Sequence, residues 1–349
     1  MTATAPASAL PRQGPGAGAP PGTAPVDVVI PTVGRPSLGA LLWVMCRALP
    51  AGGRVIVVDD RARPTAPLDL GLDDGRVTVV ATGGRGPAAA RNAGWAASTA
   101  PWVAFVDDDV EPPLSWVRDL CEDVRGAAPG VGAVQGRIVV PLPGDRRPTD
   151  WERNVAGLDG ATWITADMAV RRTALEAVGG FDERFPRAYR EDTDLALRLL
   201  DAGWQLAVGD RRARHPVGPA PWWTSVRLQR GNADDVLLER LHGPGWRARV
   251  GAPAGAFGRY PATTGLLAAA AVATATGRRR AAAVAGAWWA ARTARLAWQR
   301  IAPGPRTPRE VATMVATSVA IPPAACWHRA RGRLRWRSAA ARRPVAPAR

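Results

Sequence analysis

The sequence predicts an α/β fold: an open, mostly parallel twisted sheet flanked by helices, followed by an Ala- and Arg-rich helical C-terminal region. Short β-branched runs alternate with helix-compatible segments in the first half of the chain. Because these runs are apolar throughout rather than alternating, they are typical of strands that are buried on both faces of a parallel sheet. The four runs are VDVVIPT (26–32), RVIVVDD (54–60), RVTVVAT (76–82) and WVAFVDD (102–108).

The segments between and after these runs complete the predicted order of elements. Two further strands, 131–140 and 163–170, bracket a polar, Pro-rich stretch that we expect to be a loop. A last short strand is expected at 204–209. Helices are expected at 36–49, 86–98, 113–127 and 191–203, the last beginning with acidic residues and stopping at Gly203.

The charge distribution divides the chain into two parts. Residues 1–210 hold 21 Arg against 26 Asp plus Glu, a net of −5, whereas residues 211–349 hold 25 Arg against 4 acids, a net of +21. All basic residues are arginine, which indicates a codon bias and discounts the total of +16. Only the second part therefore calls for an anionic partner.

The predicted organisation follows from these shifts in composition. Residues 1–25 are rich in Pro, Ala and Gly and are expected to be a disordered leader. A catalytic body is expected at 26–215, with a nucleotide-binding half at about 26–110 and a second half at about 111–215. A helical basic region is expected at 216–340, and a disordered tail at 341–349. Three scattered cysteines without CxxC spacing suggest neither a disulfide framework nor a zinc site, which favours a cytoplasmic location.

Polar and acidic residues stand at the ends of three predicted strands. These are Thr32, the pair Asp59 and Asp60, and the triplet Asp107 to Asp109. Ligands bind outside the carboxyl ends of strands in such sheets, so these residues should line one crevice. A single aspartate is easily a structural cap, but three adjacent carboxylates repel one another unless a cation offsets them. Mg²⁺ or Mn²⁺ is the expected cation, because carboxylates and substrate phosphates are its preferred ligands.

The ordered set of motifs resembles the family 2 glycosyltransferases of the GT-A fold over about residues 26–215. The resemblance is carried, in order, by VVIPTVGRP, VIVVDD, AAARNAG, FVDDDVEPP, AVRRTALEAVGGFDERF and REDTDLALRLLDAGW. It implies transfer of a sugar from a nucleotide-diphosphate donor to a hydroxyl acceptor, with inversion at the anomeric carbon. The acceptor class stays open between a glycan, a lipid-linked molecule and a small molecule.

The resemblance also assigns expected roles to single residues. The triplet Asp107, Asp108 and Asp109 would hold the metal, with Asp107 and Asp109 as first choices and Asp108 ambiguous. His215, after the last strand, lies where related folds often supply a further metal or phosphate ligand. The nucleotide-sugar pocket would be formed by Pro31, Thr32, Arg35, Asp59, Asp60, Arg91 and Asp107.

The acidic residues at the start of the helix at 191–203 supply the expected general base. An inverting transfer needs one group to take the proton of the attacking hydroxyl. Asp192 fits this task and matches the family position, with Glu191 as its catalytic neighbour; the alternative is that both merely favour the helix dipole. Gly179 and Gly180 permit a turn that would bring backbone to the acceptor, although a turn without ligand contact is equally open.

Two departures from the family pattern are visible. The segment RARPTAPLD after Asp60 lacks the usual small polar turn, which leaves the contacts to the nucleotide base and to the ribose in doubt. Asp167 stands where relatives often have asparagine, so it is expected to alter acceptor recognition.

The basic region predicts helices at 222–241, 261–277, 281–298 and 311–327. The helix at 261–277, about 26 Å long, is marginal against roughly 30 Å of hydrocarbon. A net of +21 and several tryptophans favour association with the anionic inner face of the cell membrane. A helical pair dipping into the membrane, interfacial helices and a soluble subdomain all stay open, and no nucleic acid is expected.

Other enzyme classes fit the acidic motifs poorly. Phosphatases with a nucleophilic aspartate need a DxDxT pattern, whereas the triplet is followed by valine. A retaining glycosidase also uses two carboxylates, but the nucleotide-type motifs argue against it. A degenerate scaffold would be expected to lose the acids that this chain keeps.

Overall fold

A computed structural model describes residues 26–342, so the expected leader at 1–25 and the tail residues 343–349 lie outside the described part. Its centre is a seven-stranded sheet with strand order β3-β2-β1-β4-β6-β5-β7. Strand β6 is antiparallel to both neighbours, and the other pairs are parallel. The strands are β1 Val26–Thr32, β2 Val55–Asp59, β3 Val77–Ala81, β4 Trp102–Val106, β5 Val131–Val139, β6 Asp167–Arg171 and β7 Gln205–Arg214.

Helices cover both faces of the sheet and continue beyond it as a separate helical region. The predicted fold class, a mostly parallel sheet flanked by helices and followed by a helical C-terminal region, is confirmed. The helices are α1 Leu38–Ala48, α2 Pro87–Ala97, α3 Trp116–Gly126, α4 Asp150–Ala156, α5 Arg172–Val178, α6 Glu191–Asp201, α7 Thr224–Arg227, α8 Gly231–His242, α9 Trp246–Arg249, α10 Tyr260–Ala275, α11 Arg279–Ile301 and α12 Pro308–Arg335.

Alternate residues of β1 point into two different cores. Val28 and Ile30 join a cluster with α1 and α3, whereas Val29 joins Phe105 in a cluster with α2, α5 and α6. This alternation follows from the twofold period of a strand. Both faces of β1 are therefore buried, as its continuous apolar sequence predicted.

Several elements differ from the expectations. The stretch expected to be a loop contains α4, which begins with a capping box between Thr149 and Glu152. Strand β7 does not stop at residue 209 but continues to Arg214. The helix expected at 222–241 is broken into α7, a short 3₁₀ turn at Leu228–Arg230, and α8.

The extension of β7 has an electrostatic reason. Arg211 lies fully buried in the middle of the strand, where its guanidinium donates to Asp123 at 2.8 Å and to Asp167 at 2.7 Å. A buried arginine flanked by two carboxylates is tolerated in a strand because the charges are paired. The strand therefore continues through a residue that reads as a stop in the sequence.

The helical region is built from α10, α11 and α12, with α12 packed against α8. Helix α12 is longer than expected and runs through Pro322 and Pro323 into the basic cluster that follows. Within residues 26–342, no helix combines the length and the apolarity that crossing a membrane requires.

Candidate active site at the carboxyl edge of the sheet

The register of the strands brings the expected residues to one edge of the sheet. Thr32, at the end of β1, pairs with Asp59, at the end of β2, and β4 lies on the other side of β1. The three aspartates follow β4 directly. The backbone of Glu111 then pairs antiparallel with that of Arg214, which places the residue after β7 beside the triplet.

Each aspartate of the triplet has a different environment. Asp107 accepts from Arg91 at 2.8 Å and is partly exposed. Asp108 is buried, accepting from the Thr32 hydroxyl at 2.6 Å and from Arg35 at 3.0 Å. Asp109 is partly exposed, pairs with the same guanidinium of Arg35, and has an oxygen 3.4 Å from Nε2 of His215. Asp107 and Asp109 are thus accessible, and Asp108 is not.

The role of Asp108 as a metal ligand stays a prediction, and its contacts differ from those of its two neighbours. Its two carboxylate oxygens accept from partners within the fold, which fixes the strand end to Thr32. Burial raises the pKa of Asp108, and the Thr32 hydroxyl and Arg35 oppose that rise.

The electrostatic argument for a metal also needs revision. The sequence alone suggested that an external cation must offset the triplet, but Arg35 and Arg91 already do so. Within residues 26–342, no three His, Cys, Asp or Glu side chains converge as a complete metal cage. Asp109 and His215 remain a pair of donors that could hold one ion together with donor phosphates, as Mg²⁺ commonly is held.

Arg91 joins the two acidic motifs. Its side chain is 2% exposed and donates to Asp107 and, at 2.9 Å, to Glu191, the first residue of α6. The ring of Phe181, in the loop after α5, lies under the same guanidinium. Arg91 therefore fixes the start of α6 against the end of β4, although these segments are far apart in the sequence.

The two acids at the start of α6 are not equivalent. Glu191 is 2% exposed and bound to Arg91, which ties the start of α6 to α2, and its expected catalytic part stays a prediction. Asp192 is half-buried, and one of its oxygens accepts from the backbone N–H of Thr193 at 2.6 Å. Burial raises the pKa of Asp192, while that N–H and nearby arginines act in the opposite direction.

The two aspartates at the end of β2, which are expected in the nucleotide-sugar pocket, have partners within the fold. Both oxygens of Asp59 accept from Arg61, at 2.8 Å and 2.7 Å, and this pairing lowers the pKa of Asp59. Asp60 accepts from the Thr82 hydroxyl at 2.7 Å and from the backbone N–H of Gly86 at 2.9 Å. Arg61 belongs to the segment that departs from the family pattern, and sequence reasoning missed its pairing.

The residues expected at the acceptor have mainly structural surroundings. Asp167 is fully buried and bonded to Arg211 and, at 2.8 Å, to the indole N–H of Trp116, so its expected part in acceptor recognition stays a prediction that would act through these partners. Gly179 and Gly180 both have positive φ and end α5. A Cβ at Gly180 would lie 2.5 Å from Oδ1 of Asn92, so close packing against α2 explains that glycine.

The comparisons with known proteins concern the part of the chain that contains this edge of the sheet. Residues 27–169 match the family model described as Glycosyl transferase family 2, so the resemblance expected from the sequence motifs is confirmed for this part of the chain. The match includes the triplet but ends before α6.

Two curated relatives show how far the similarity extends. The chain is 34% identical over 196 residues to the pre-mycofactocin glycosyltransferase of Mycobacterium tuberculosis, covering 52% of this chain and 40% of the relative. It thus spans less than half the length of that relative. It is 28% identical over 241 residues to the succinoglycan biosynthesis protein ExoM of Rhizobium meliloti, covering 62% and 77%.

Among solved structures, the chain is similar to glucosyl-3-phosphoglycerate synthase from M. tuberculosis in complex with Mn²⁺, UDP-glucose and phosphoglyceric acid. The TM-score is 0.43 at 15% identity, with 66% of this chain and 81% of the other covered.

Proposed function

We propose that the chain transfers a sugar from a nucleotide-diphosphate donor to a hydroxyl acceptor with inversion at the anomeric carbon. The observation that carries the proposal is the Arg91 bridge, which holds Asp192 at the edge where the triplet ends β4. The family of residues 27–169 supplies the reaction class.

Asp192 is the proposed general base. The acceptor oxygen attacks the anomeric carbon of the sugar while its proton passes to Asp192. The bond between the anomeric carbon and the diphosphate oxygen breaks, and its electron pair leaves with the nucleoside diphosphate. A half-buried carboxylate with a raised pKa is a stronger base than an exposed one, provided that it is ionised at the working pH. Glu191 and Arg91 position α6 for this step.

A divalent cation, Mg²⁺ or Mn²⁺, is the proposed cofactor. Bound at the carboxyl edge of the sheet, it would stabilise the negative charge that develops on the leaving diphosphate. Asp109 and His215 are the proposed ligands, with Asp107 as a further carboxylate at the same edge. Arg35 pairs with Asp109 and is exposed, so it can move from the carboxylate to a donor phosphate.

A thermal-shift screen with nucleoside diphosphate sugars, each with and without Mn²⁺ or Mg²⁺, tests donor use. We expect one donor to stabilise the chain and the metal to increase the shift. Asp109→Asn should remove the metal-dependent part, whereas Asp119→Asn on α3, paired only with its neighbour Arg118, should not. If no nucleotide sugar shifts the melting temperature under any metal condition, the proposed function is wrong.

The helical region is proposed to hold the enzyme at the anionic inner face of the cell membrane. Residues 260–342 carry 14 arginines and one acidic residue, Glu310. Apolar side chains point outward beside them, with Trp288 and Val272 each 63% exposed. Tryptophan and arginine together suit the headgroup layer of an anionic bilayer.

A further inference from the structure

A cavity of about 340 Å³ lies between the α/β domain and the helical region. Its walls come from α4, from the stretch 220–228 that follows β7, and from the beginning of α12. The volume is at the lower end of the roughly 300–1,000 Å³ of small-molecule sites. It matches a small organic group rather than a protein segment.

The cavity belongs to the same edge of the sheet as the triplet. Strands β5 and β7 are parallel to each other, and both run in the direction of β4 because β6 is antiparallel to β4 and to β5. Helix α4 follows β5, and the stretch 220–228 follows β7. The indole N–H of Trp151 donates to the carbonyl of Gly218 at 2.8 Å, three residues beyond His215. A molecule in the cavity is thus placed on the catalytic edge.

The walls are fixed by a buried network. Arg300 of α11 is 12% exposed and donates to Asp150 at 2.7 Å, to Ser225 at 3.0 Å and to Thr317 at 2.7 Å. Glu310 of α12 accepts from the backbone N–H of Asp150 at 2.7 Å. Four elements, α4, α7, α11 and α12, are therefore held together by side chains of the chain itself, and the cavity is preformed.

One polar group in the wall has no partner. The hydroxyl of Thr224 is buried, with the residue 3% exposed, and it has no hydrogen bond within the described part of the chain. A buried hydroxyl without a partner destabilises the fold. Because Thr224 lines the cavity, a rotation of its side chain would let a ligand hydroxyl or carbonyl supply the missing bond.

The other lining groups have a mixed character. Trp222, which is 60% exposed as a residue, and Trp151 both line the cavity. Asn154 and Arg309 add an amide and a guanidinium. Flat aromatic surfaces beside hydrogen-bonding groups suit a sugar ring, which has an apolar face of C–H groups and a rim of hydroxyls.

We propose that this cavity binds a sugar ring of the acceptor, so that the acceptor is a saccharide or carries one. The inference rests on the proposed function, because it names the acceptor class of that reaction. It also gives the helical region a part in the site. Helix α12 supplies one wall of the cavity, and Arg300 of α11 binds Ser225 in another wall.

The test uses the full chain and the methyl glycosides of glucose, galactose, mannose and N-acetylglucosamine. Binding is measured by saturation-transfer NMR and calorimetry, and 1-octanol serves as an apolar probe. The variants are Trp222→Ala, Asn154→Ala and Thr224→Val. The matched control is Trp43→Ala on α1, where the tryptophan is 52% exposed on the α/β domain.

We expect at least one glycoside to bind and Trp222→Ala to weaken it about tenfold, with Asn154→Ala acting in the same direction. Thr224→Val should weaken glycoside binding and, without glycoside, leave the melting temperature unchanged or higher, because the unpaired hydroxyl is gone. This pair of effects is not expected from a purely structural residue. Trp43→Ala should leave both quantities unchanged.

The inference is overturned if no glycoside binds at millimolar concentration, if octanol binds instead, or if Trp222→Ala and Trp43→Ala behave alike. Hydrolysis of nucleotide sugars, followed in parallel, separates the two proposals. Hydrolysis without glycoside binding leaves the donor reaction standing and removes the saccharide cavity. Glycoside binding that depends on Trp222, without any nucleotide-sugar turnover, removes the proposed transfer reaction and keeps the cavity.

Discussion

The α/β domain and the helical region differ in how far their arginines form ion pairs. At the catalytic edge, each acidic motif has an arginine of the same domain, such as Arg35 for Asp109, Arg61 for Asp59 and Arg91 for Glu191. In residues 260–342, only Arg300, Arg329 and Arg342 of the 14 arginines form ion pairs within the described part.

The difference separates two kinds of interaction. Charges that are paired inside the fold organise the site, and they need no outside partner to be stable. Unpaired arginines beside exposed tryptophans leave a surface whose charge is satisfied only by water, salt or an anionic partner. The catalytic edge should therefore respond to substitutions of single residues, and the helical region should respond to salt.

Asp192→Asn should have the largest effect on the catalytic edge. Loss of the base is expected to lower kcat by about 10²–10⁴-fold, while donor affinity stays within about twofold. Steady-state kinetics and donor calorimetry measure the two quantities. Glu176→Gln, on the exposed side of α5, is the matched control and should leave both unchanged. Normal turnover in the Asp192 variant would remove this residue from the mechanism.

Arg91→Met tests the pairing inside the domain. It leaves Glu191 buried and without its partner, so the free energy of unfolding should fall by about 3–5 kcal/mol, as measured by urea denaturation. The double variant with Glu191→Gln should regain part of this loss because the unpaired charge is removed. Equal stability of the single and double variants would show that the pair does not organise the site.

Binding to vesicles tests the unpaired charges of the helical region. Vesicles with phosphatidylglycerol should bind the full chain, and binding should weaken steeply as salt increases. Trp288→Ala should weaken binding by roughly 1 kcal/mol, about fivefold, while Trp43→Ala on the α/β domain should not. Equal binding to neutral vesicles would contradict the proposed membrane surface.

The smallest expected effect is a change in the pH dependence of the free energy of unfolding. Burial holds the pKa of Asp192 above its unfolded value, so its ionisation destabilises the fold as pH rises through the native pKa. Asp192→Asn should therefore be more stable than the wild type at about pH 7.5, and the gap should shrink toward about pH 4.5.

Glu152→Gln is the control with the opposite sign. Arg146 lowers the pKa of Glu152 to about 2, so its charge stabilises the fold at neutral pH and that gain is lost only as pH falls toward this value. This variant should be less stable than the wild type at neutral pH. Chemical denaturation at the two pH values measures both variants, and parallel behaviour would contradict the electrostatic account.

The sequence predicted the sheet well because its strands are continuous apolar runs with clear ends. Helix α4 was missed although its capping box, Thr149 to Glu152, was visible in the sequence. Strand β7 was cut short because the charged run DRRAR (210–214) reads as exposed unless the buried partners of Arg211, Asp123 and Asp167, are known.

The sequence predicted which residues lie at the candidate site but not which of their side chains pair with one another. The position of the triplet follows from the strand order, since carboxyl ends of parallel strands share an edge. That Arg91 bridges Asp107 and Glu191, 100 residues from the latter, depends on the packing of α2 and α6. No local pattern encodes such a contact, and the same holds for the pairing of the buried Asp167 with Arg211.

The anomeric configuration of the product tests the central claim most directly. NMR of the product from an α-linked nucleotide-sugar donor should show a β-linked sugar with the wild-type chain, and no product with Asp192→Asn. A product that retains the donor configuration, or equal product from the Asp192 variant, would contradict a single-displacement transfer with this base.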